Sequence, residues 1–462
     1  MADFHMWKLE SVGGAFEDSK LQTLSFLSSF SNSFKKNVRT PVPTHSGDTM
    51  AVFTFSPLDF VFSCLGLPLF LADVVLDVLA VVDFYKEEAW VRLSVLLLLL
   101  VGSSVLIQVY SWKWYIGDGL RLQTRVENGL KKGLKTLHVL QLGIYVRHLG
   151  VLEKSVSGFC GKGSDRQNSK DVAVELSHDL CMLHLIETFS ESAPQIVLWL
   201  TIILQDGKLD VISVLKVLCS IAAVAFCVTT YHRSLRSFLK DTNQLSIISS
   251  IIHFLWNLLL LLSRLTALAL FASVLPCFIF THVFCSWMIF VLFAWRAQTN
   301  FMDDPWGERL YRATVALIWY FDWFNIFKKR TKKSALLYHS FILLDTCMLC
   351  GLWFWRMNTH PPQFAIPRPY AEVMACSVVA VYILGLVVKV LYYRFFHPTL
   401  NQDNLRGEDQ TEVSGQNNDT RRERDETDGT VMVRMMASSP APPRQTKNGN
   451  KRMRMLAENF YS

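Results

Sequence analysis

The chain has 462 residues, of which 51% are hydrophobic and only 18% are charged, against about 25% charged residues in an average soluble domain. A soluble protein of this length has too little interior to bury 32 Phe and 13 Trp residues besides its aliphatic side chains. This composition excludes an ordinary cytosolic enzyme and a secreted disulfide-rich protein, and it predicts a polytopic membrane protein. The net charge of +7 comes mainly from short loops beside apolar segments, so it predicts orientation in a membrane and no nucleic acid binding.

The polar residues lie mainly at the two ends of the chain. Residues 1–56 are polar with scattered aromatic side chains and predict a flexible N-terminal extension, and residues 397–462 predict a disordered tail. Between them lie ten apolar segments, each of which predicts a helix, because helices are the elements that span a membrane at these lengths. The segments cover residues 57–83, 89–112, 134–150, 175–205, 210–230, 245–275, 278–295, 310–327, 335–356 and 370–396.

Two of these segments, 134–150 and 310–327, are short and contain several polar side chains. If both enter and leave the membrane on the same side, all the strongly basic loops face the cytosol, as the positive-inside rule requires. The basic loops are residues 113–135, 147–170, 231–240 and 328–333. The sequence thus predicts an all-α polytopic membrane protein with eight transmembrane helices plus two re-entrant half-helices, and with both termini in the cytosol.

The short segments are each the third of a set of five, which indicates a duplicated architecture. Internal repeats of this kind are common among transporters. We therefore expect two pseudo-symmetric repeats, residues 57–230 and residues 245–396.

Polar side chains within the apolar segments are the candidate functional residues. A charged residue at the centre of a bilayer costs about 2.5–3.5 kcal/mol, so these side chains must be paired, protonated or hydrated. Either they form buried ion pairs that fix helix register, or they line a polar pathway. The acids outnumber Arg264, which favours a pathway. The candidates are Asp73, Asp77, Glu187, Glu191, Gln195, Arg233, Arg264 and Asp345.

Three further residues carry local predictions. Pro194 has no N–H to donate to the Ser190 carbonyl, so we expect the helix to be distorted there, among the acids. Lys389, near the end of the last segment, is expected to extend its flexible side chain to the cytosolic surface, as is Arg394.

The sequence predicts no catalytic residue, metal site or cofactor. It contains no phosphate-binding G-x-x-x-x-G-K-[ST] loop and no G-x-S-x-G nucleophile motif. The Glu175/His178 and His184/Glu187 pairs have metal-ligand spacing, but both lie on one helix, whereas bundle metal sites draw carboxylates from several helices. Passive transport is the simpler interpretation.

The tail contains a predicted protease site. The run from Asp425 through Asp428 to Gly429 matches the Asp-Glu-x-Asp-small preference of executioner caspases. Residues 399–428 hold four basic and nine acidic residues, net −5, whereas residues 429–462 hold six basic and one acidic, net +5. The basic fragment ends in a short amphipathic stretch that can dock on the cytosolic face of the protein or on anionic lipid. Cleavage would untether it.

Several motifs together resemble the XK-related family of phospholipid scramblases. The resemblance covers residues 58–398 and the tail motif. It rests on Asp73-x-x-x-Asp77, Tyr110-Ser111-Trp112-x-Trp114, Leu137-His138-x-Leu140-Gln141-x-Gly143, Glu187-Thr188-Phe189-x-Glu191-x-Ala193-Pro194-Gln195, Tyr231-His232-Arg233-x-Leu235-Arg236, Phe254-Leu255-Trp256-Asn257-Leu258-Leu259-Leu260, Leu310-Tyr311-Arg312-x-Thr314-Val315-Ala316 and Tyr392-Tyr393-x-x-x-x-His397-Pro398.

The resemblance implies a function that the residues alone leave open. It implies energy-independent exchange of phospholipids at the plasma membrane, with phosphatidylserine exposed after caspase cleavage during apoptosis. It also implies a single-pass immunoglobulin-type chaperone such as basigin or neuroplastin as partner. The chain departs from the family pattern at Thr230, where Asp is usual, and at His184, where Arg is common. A small-solute transporter or channel, and a structural membrane subunit without transport, are the alternatives.

Overall fold

The computed structural model describes most of the chain between the polar ends, together with three residues near the C-terminus. The described residues are 57–160, 164–207, 211–236, 247–297, 299–327, 331–360, 362, 366–395, 452 and 455–456. None of them lies in a β-strand, so the predicted all-α fold is confirmed for this part of the chain.

The helices follow one another with short connections. Their bounds are α1 Pro57–Lys86, α2 Trp90–Gly117, α3 Arg125–Gly129, α4 Leu134–Val139, α5 Gly143–Cys160, α6 Ser164–Glu187, a π-helical turn Thr188–Ser192, α7 Ala193–Asp206, α8 Val211–Arg236, α9 Ile247–Val274, α10 Pro276–Trp295, α11 Pro305–Phe321, α12 Thr331–Thr359 and α13 Arg368–Phe395.

Six helices of the described part are long and apolar enough to cross a membrane: α2, α8, α9, α10, α12 and α13. Their number makes the chain a multi-pass membrane protein. The six do not include α1, or the composite of α6 and α7, which the π-helical turn interrupts.

The two short, polar-containing apolar segments predicted from the sequence, 134–150 and 310–327, each contain helix next to non-helical chain. In the first, α4 has six residues, and Gln141 then takes a left-handed conformation with φ of 64° before α5 begins. In the second, α11 starts at Pro305, where the Asp304 side chain accepts a hydrogen bond from the Gly307 N–H, which satisfies a donor that the helix itself leaves unpaired. After Phe321 the chain is non-helical to residue 327.

One hydrophobic core runs through both predicted repeats, with α9 at its centre. α9 packs against α7 and α8 on one side and against α10, α12 and α13 on the other. Its apolar span is the most buried of the six, with two thirds of it inside the protein. Large side chains such as Trp319 and Trp353 are completely buried beside it. Any charge on the buried face of α9 is therefore shielded from both lipid and water.

The predicted distortion before Pro194 is present as a π-helical turn. Residues Thr188–Ser192 widen the helix, and α7 begins at Ala193 with the proline in its first turn. Proline is tolerated in a first turn because the N–H groups there have no partner within the helix. π-turns insert one extra residue and often lie at functional sites. Here the turn contains Glu191, one of the candidate acids.

Candidate functional site

Four of the candidate residues come together where α1 faces the π-helical turn. Carboxylate oxygens of Asp73, Asp77 and Glu191 lie within 4.8 Å of one another. The Gln195 amide donates to the Asp77 carboxylate at 3.1 Å, so α7 is tied to α1 at this point. The one-turn spacing of Asp73 and Asp77 predicted a shared helix face, and the structure confirms it.

The acidic cluster, defined here as Asp73, Asp77 and Glu191, runs from the surface into the protein. Asp73 is exposed, Asp77 is half-buried and Glu191 is buried. Leu76, which is also exposed, lies to one side of the acids on α1, whereas the exposed Val75 and Val78 point to the other side of the helix. The acidic cluster differs from a closed ion pair because its outermost carboxylate, that of Asp73, is accessible from outside the protein.

Glu187 lies beside the acidic cluster with a partner of its own. Its carboxylate accepts a hydrogen bond from the His184 ring at 2.9 Å, one turn back along α6. The His184 ring is 5.3 Å from that of His148 on α5, and the His148 ring stacks on Phe70 of α1. His184 stands where Arg is common in the family that the motifs resemble, so the partner of Glu187 in this chain is an imidazole.

The acidic cluster is the one group of three metal-ligand side chains found among the described residues. Its donors are all carboxylate oxygens, the ligands that hard cations such as Ca²⁺ prefer. The same oxygens accept hydrogen bonds from an ammonium group equally well.

Arg264 and Asp345 form a separate buried group. The Arg264 guanidinium donates to the Asp345 carboxylate at 2.6 Å and to the Tyr320 carbonyl at 3.1 Å. The other Asp345 oxygen lies 3.0 Å from His282, and that ring contacts the Tyr320 hydroxyl at 2.9 Å. Arg264 is completely buried and Asp345 nearly so. This charge pair connects α9 to α12 within the core, an arrangement that fits the helix-register interpretation.

Arg233 lies three residues before the end of α8 and is half-buried. The other candidate residues thus fall into two groups, one at the acidic cluster and one at Arg264 and Asp345.

Lys389 does not reach the surface, and the prediction for it was wrong. Its ammonium donates to His339 Nε2 at 2.8 Å and lies 4.0 Å from the centre of the Trp256 ring. The other His339 nitrogen contacts the Tyr382 hydroxyl at 3.0 Å. Lys389 is only 6% exposed, because α9 and α12 cover the face of α13 that carries it. Arg394, five residues later, is exposed as expected.

The sequence allowed the tail to dock either on the cytosolic face of the protein or on anionic lipid. In the structure, the described residues of the tail contact the rest of the protein. Arg452 makes hydrogen bonds of 2.8 and 2.9 Å to the two carboxylate oxygens of Asp118, just after α2. It also bonds Asp179 of α6 at 3.0 Å. Leu456 is buried in the main hydrophobic core, and Met455 packs against it. The caspase motif at residues 425–429 lies outside the described residues.

A small cavity lies where the two predicted repeats meet. Its volume is about 40 Å³, which suffices for a water molecule or two and is far too small for a lipid headgroup. Phe189 and Val228 line it from the first predicted repeat, and Trp256, Asp322 and Asn325 line it from the second.

Comparison with known proteins places the chain in a family. The model of the XK-related protein family matches residues 61–398. The chain is 39% identical to an XK-related protein 8 from Tetraodon nigroviridis over 418 residues, which cover 89% of this chain and 98% of the relative. It is 40% identical to one from Gasterosteus aculeatus, over 75% of this chain and 85% of the relative.

A mammalian relative is also similar to the chain, at a lower sequence identity. The chain is 34% identical to an XK-related protein 8 from Pan troglodytes, over 74% of this chain and 84% of the relative. The chain belongs to the XK-related family, as its motifs predicted, and it is a multi-pass membrane protein.

Proposed function

We propose that the chain is a phospholipid scramblase of the plasma membrane, held closed by its C-terminal segment and opened when an executioner caspase cuts after Asp428. In this proposal it is not an enzyme, and phospholipids cross in both directions without an energy source. Phosphatidylserine then appears on the outer leaflet of apoptotic cells. Membership of the XK-related family supports a membrane protein of the scramblase type.

The observation that carries the proposal is the acidic cluster, which reaches the surface of the protein at Asp73. Ionisable side chains within a membrane are costly, and they commonly mark a transport path. Headgroups would pass along Asp73, Asp77, Glu187 and Glu191 while the acyl chains stay in lipid. In this proposal the acids attract amine-bearing headgroups and Arg233 binds phosphate.

The proposed topology adds two spanning units to the six long apolar helices. They are α1 and the composite of α6 and α7, which makes eight, with the α4–α5 and α11 regions as re-entrant half-helices in two repeats. Both termini are then cytosolic. An immunoglobulin-type single-pass chaperone, basigin or neuroplastin, is the proposed partner.

The contacts of Arg452 support the proposed gate. The tail segment connects the end of α2 to α6, and Leu456 extends this contact into the core. Cleavage after Asp428 removes the covalent link to this segment, whose remaining contacts must then hold it by themselves.

The test is lipid exchange by the purified full chain in liposomes, before and after caspase cleavage. We expect fluorescent phospholipid in the inner leaflet to reach the outer leaflet quickly only after cleavage. The double variant Glu187→Gln/Glu191→Gln should slow this exchange at least tenfold while the protein remains folded. Asp83→Asn, which neutralises an exposed acid further along α1, is the matched control.

Three other results would contradict parts of this proposal. Saturable flux of a small solute without lipid exchange would support a transporter or channel. No transport by a correctly folded, cleaved chain would support a structural subunit. Unchanged exchange in the double variant would remove Glu187 and Glu191 from the path.

A further inference from the structure

The segment between α2 and α5 carries a group of exposed lysines. Lys131 and Lys132 lie in the turn before α4, Lys135 lies in its first turn, and all three residues are exposed. We call them the lysine group. Residues 121–142 contain five Lys and Arg residues and one acid, Glu127. This balance makes the segment attractive to anionic partners.

The acid of this segment is turned into the protein. Glu127 is only 1% exposed. One of its carboxylate oxygens accepts a hydrogen bond from the Tyr115 hydroxyl at 2.7 Å. The other accepts hydrogen bonds from the backbone N–H groups of Gln123 and Thr124 at 3.0 and 3.1 Å. The negative charge is therefore held on the inner side of α3, whereas the lysine group faces outwards.

α4 carries exposed aliphatic side chains beside its lysine. Leu134 and His138 are buried and form the face of α4 that packs on the protein. Lys135 and Val139 lie one turn apart on an exposed face. Val139 is 71% exposed and Leu140, the next residue, is 60% exposed. Along α4 the exposed surface thus changes from basic to aliphatic.

Contacts with α2 determine how deep the end of α4 lies. α2, which ends at Gly117, is one of the six long apolar helices. Its Ser111 hydroxyl contacts the His138 ring at 2.9 Å. Its Ser104 hydroxyl donates to the Gln141 side chain at 2.8 Å. At about 1.5 Å per residue, Ser111 lies about 9 Å and Ser104 about 20 Å from the end of α2. The chain therefore descends beside the apolar part of α2 as α4 ends.

The start of α4 lies close to the end of α2. Leu134 packs in one apolar cluster with Tyr115, which belongs to the last turn of α2. Lys135 is the next residue. In the proposed topology this end of α2 is cytosolic, so the lysine group lies at the level of the inner-leaflet headgroups and Val139 and Leu140 lie among the acyl chains. Amphipathic elements with basic and aliphatic side chains in this order bind anionic membranes.

We propose that the lysine group binds the anionic phospholipid surface of the inner leaflet, with the exposed aliphatic side chains of α4 inserted among the acyl chains. The acidic stretch of the tail, residues 399–428, matches the lysine charges, but it is too polar to cover Val139 and Leu140, which favours lipid. Because lysines act as flexible point charges, the net charge of the lipid decides the binding and the shape of its headgroup does not. Phosphatidylserine and phosphatidylglycerol should therefore bind alike.

The test is photo-crosslinking of the full chain in vesicles that contain equal amounts of phosphatidylcholine and phosphatidylserine. A benzophenone side chain placed at Thr136, an exposed position of α4 next to Lys135, captures the neighbouring lipid, and mass spectrometry identifies the adducts. We expect phosphatidylserine adducts to exceed phosphatidylcholine adducts about fivefold, which corresponds to about 1 kcal/mol. Phosphatidylglycerol in place of phosphatidylserine should give the same excess, and about 1 M salt should reduce it by screening the charges.

Two triple variants of the lysine group complete the test. Lys131→Gln/Lys132→Gln/Lys135→Gln should bring the adduct ratio to about one. Lys131→Arg/Lys132→Arg/Lys135→Arg keeps the charges at the same exposed positions and should keep the excess.

Three results would overturn the proposal. Equal capture of both lipids by the unchanged chain would show that the lysine group does not select anionic lipid. Adducts with tail peptides in place of lipid would make the acidic stretch the occupant. An excess that survives the glutamine substitutions would assign the anionic lipid to other residues. The adduct ratio requires no lipid exchange, so it tests this inference even if the scramblase proposal fails.

Discussion

The side chains of Arg452 and Asp118 form two parallel hydrogen bonds although 334 residues separate them along the chain. A guanidinium and a carboxylate match in this geometry, which makes the pair stronger than a single charged contact. Because Arg452 also bonds Asp179, this one side chain attaches the tail segment to two helices. Changes at Arg452 should therefore affect the closed state directly.

We expect Arg452→Ala to open the protein without cleavage. The substitution removes three hydrogen bonds and a cation–π contact with the Trp114 ring. The bond to the buried Asp179 contributes about 1–3 kcal/mol, whereas the bonds to Asp118, whose side chain is 47% exposed, contribute less because water screens them. Phosphatidylserine exposure in unstimulated cells, followed with a labelled binding protein, should rise severalfold. Arg452→Lys keeps the charge but loses the paired geometry, so its exposure level should lie between the two.

The matched control for this experiment is Arg434→Ala. It removes the same charge from the same tail fragment and should leave unstimulated cells unchanged. If Arg434→Ala exposed as much phosphatidylserine as Arg452→Ala, the tail would act through its total charge, and the contacts with Asp118 and Asp179 would not be the gate.

A second prediction concerns the buried Arg264–Asp345 pair. Asp345→Asn should lower the free energy of unfolding by about 3–5 kcal/mol, because it leaves the arginine charge buried without a counter-ion. The double variant Arg264→Met/Asp345→Leu should recover most of that stability. Thermal unfolding of the purified protein in detergent measures both effects.

An exposed ion pair in the same part of the chain gives the comparison. Arg368 and Glu372 are bonded at 3.0 Å, but their side chains are 74% and 50% exposed. Glu372→Gln should change the stability by less than about 1 kcal/mol. Lipid exchange that stops in a well-folded double variant would show that Arg264 and Asp345 act in the transport path and not only in helix packing.

A third prediction concerns the dependence of stability on pH at the start of α11. The hydrogen bond from the Lys113 ammonium holds the pKa of the Asp304 carboxyl below its usual range. A carboxyl with a lowered pKa in the folded state stabilises the protein above the unfolded pKa of about 3.9, and the effect is lost as the pH falls through the folded value. The pH window of interest is therefore about 5 down to 3.

Asp304→Ala should destabilise the protein by about 0.5–2 kcal/mol near neutral pH, because it also removes the helix cap. The difference in melting temperature from the unchanged protein should shrink as the pH falls from 5 to 3. Asp304→Asn retains a capping side chain and should lose only the smaller, pH-dependent part. Equal pH profiles for all three proteins would show that the contact with Lys113 contributes nothing to stability.

Local features of the fold could be predicted from the sequence because they depend on neighbouring residues. The spacing of Asp73 and Asp77 defines a helix face, and Pro194 requires a distortion, which is present as the π-helical turn. The weak segments at 134–150 and 310–327 each contain helix beside non-helical chain, and their predicted re-entrant path through the membrane stays a prediction.

Pairings between distant segments could not be predicted, because the sequence does not show which helices become neighbours. Arg264 and Asp345 lie on different helices and are separated by 81 residues in the sequence. Lys389 is near a helix end, where a lysine normally reaches the surface, yet its partner His339 lies on another helix that covers it. For the same reason, the charge of the tail predicted that the tail docks, but it did not show whether the tail docks on lipid or on the protein.

In the proposed function, cleavage after Asp428 opens a scramblase. The most direct measurement is phosphatidylserine exposure and fluorescent lipid uptake in cells that lack other scramblases and receive an apoptotic stimulus. The intact chain is compared with Asp428→Ala, with both proteins present at the cell surface. We expect rapid exchange with the intact chain and none with Asp428→Ala. Equal exchange with both proteins would contradict the caspase gate, and no exchange with either would contradict the scramblase itself.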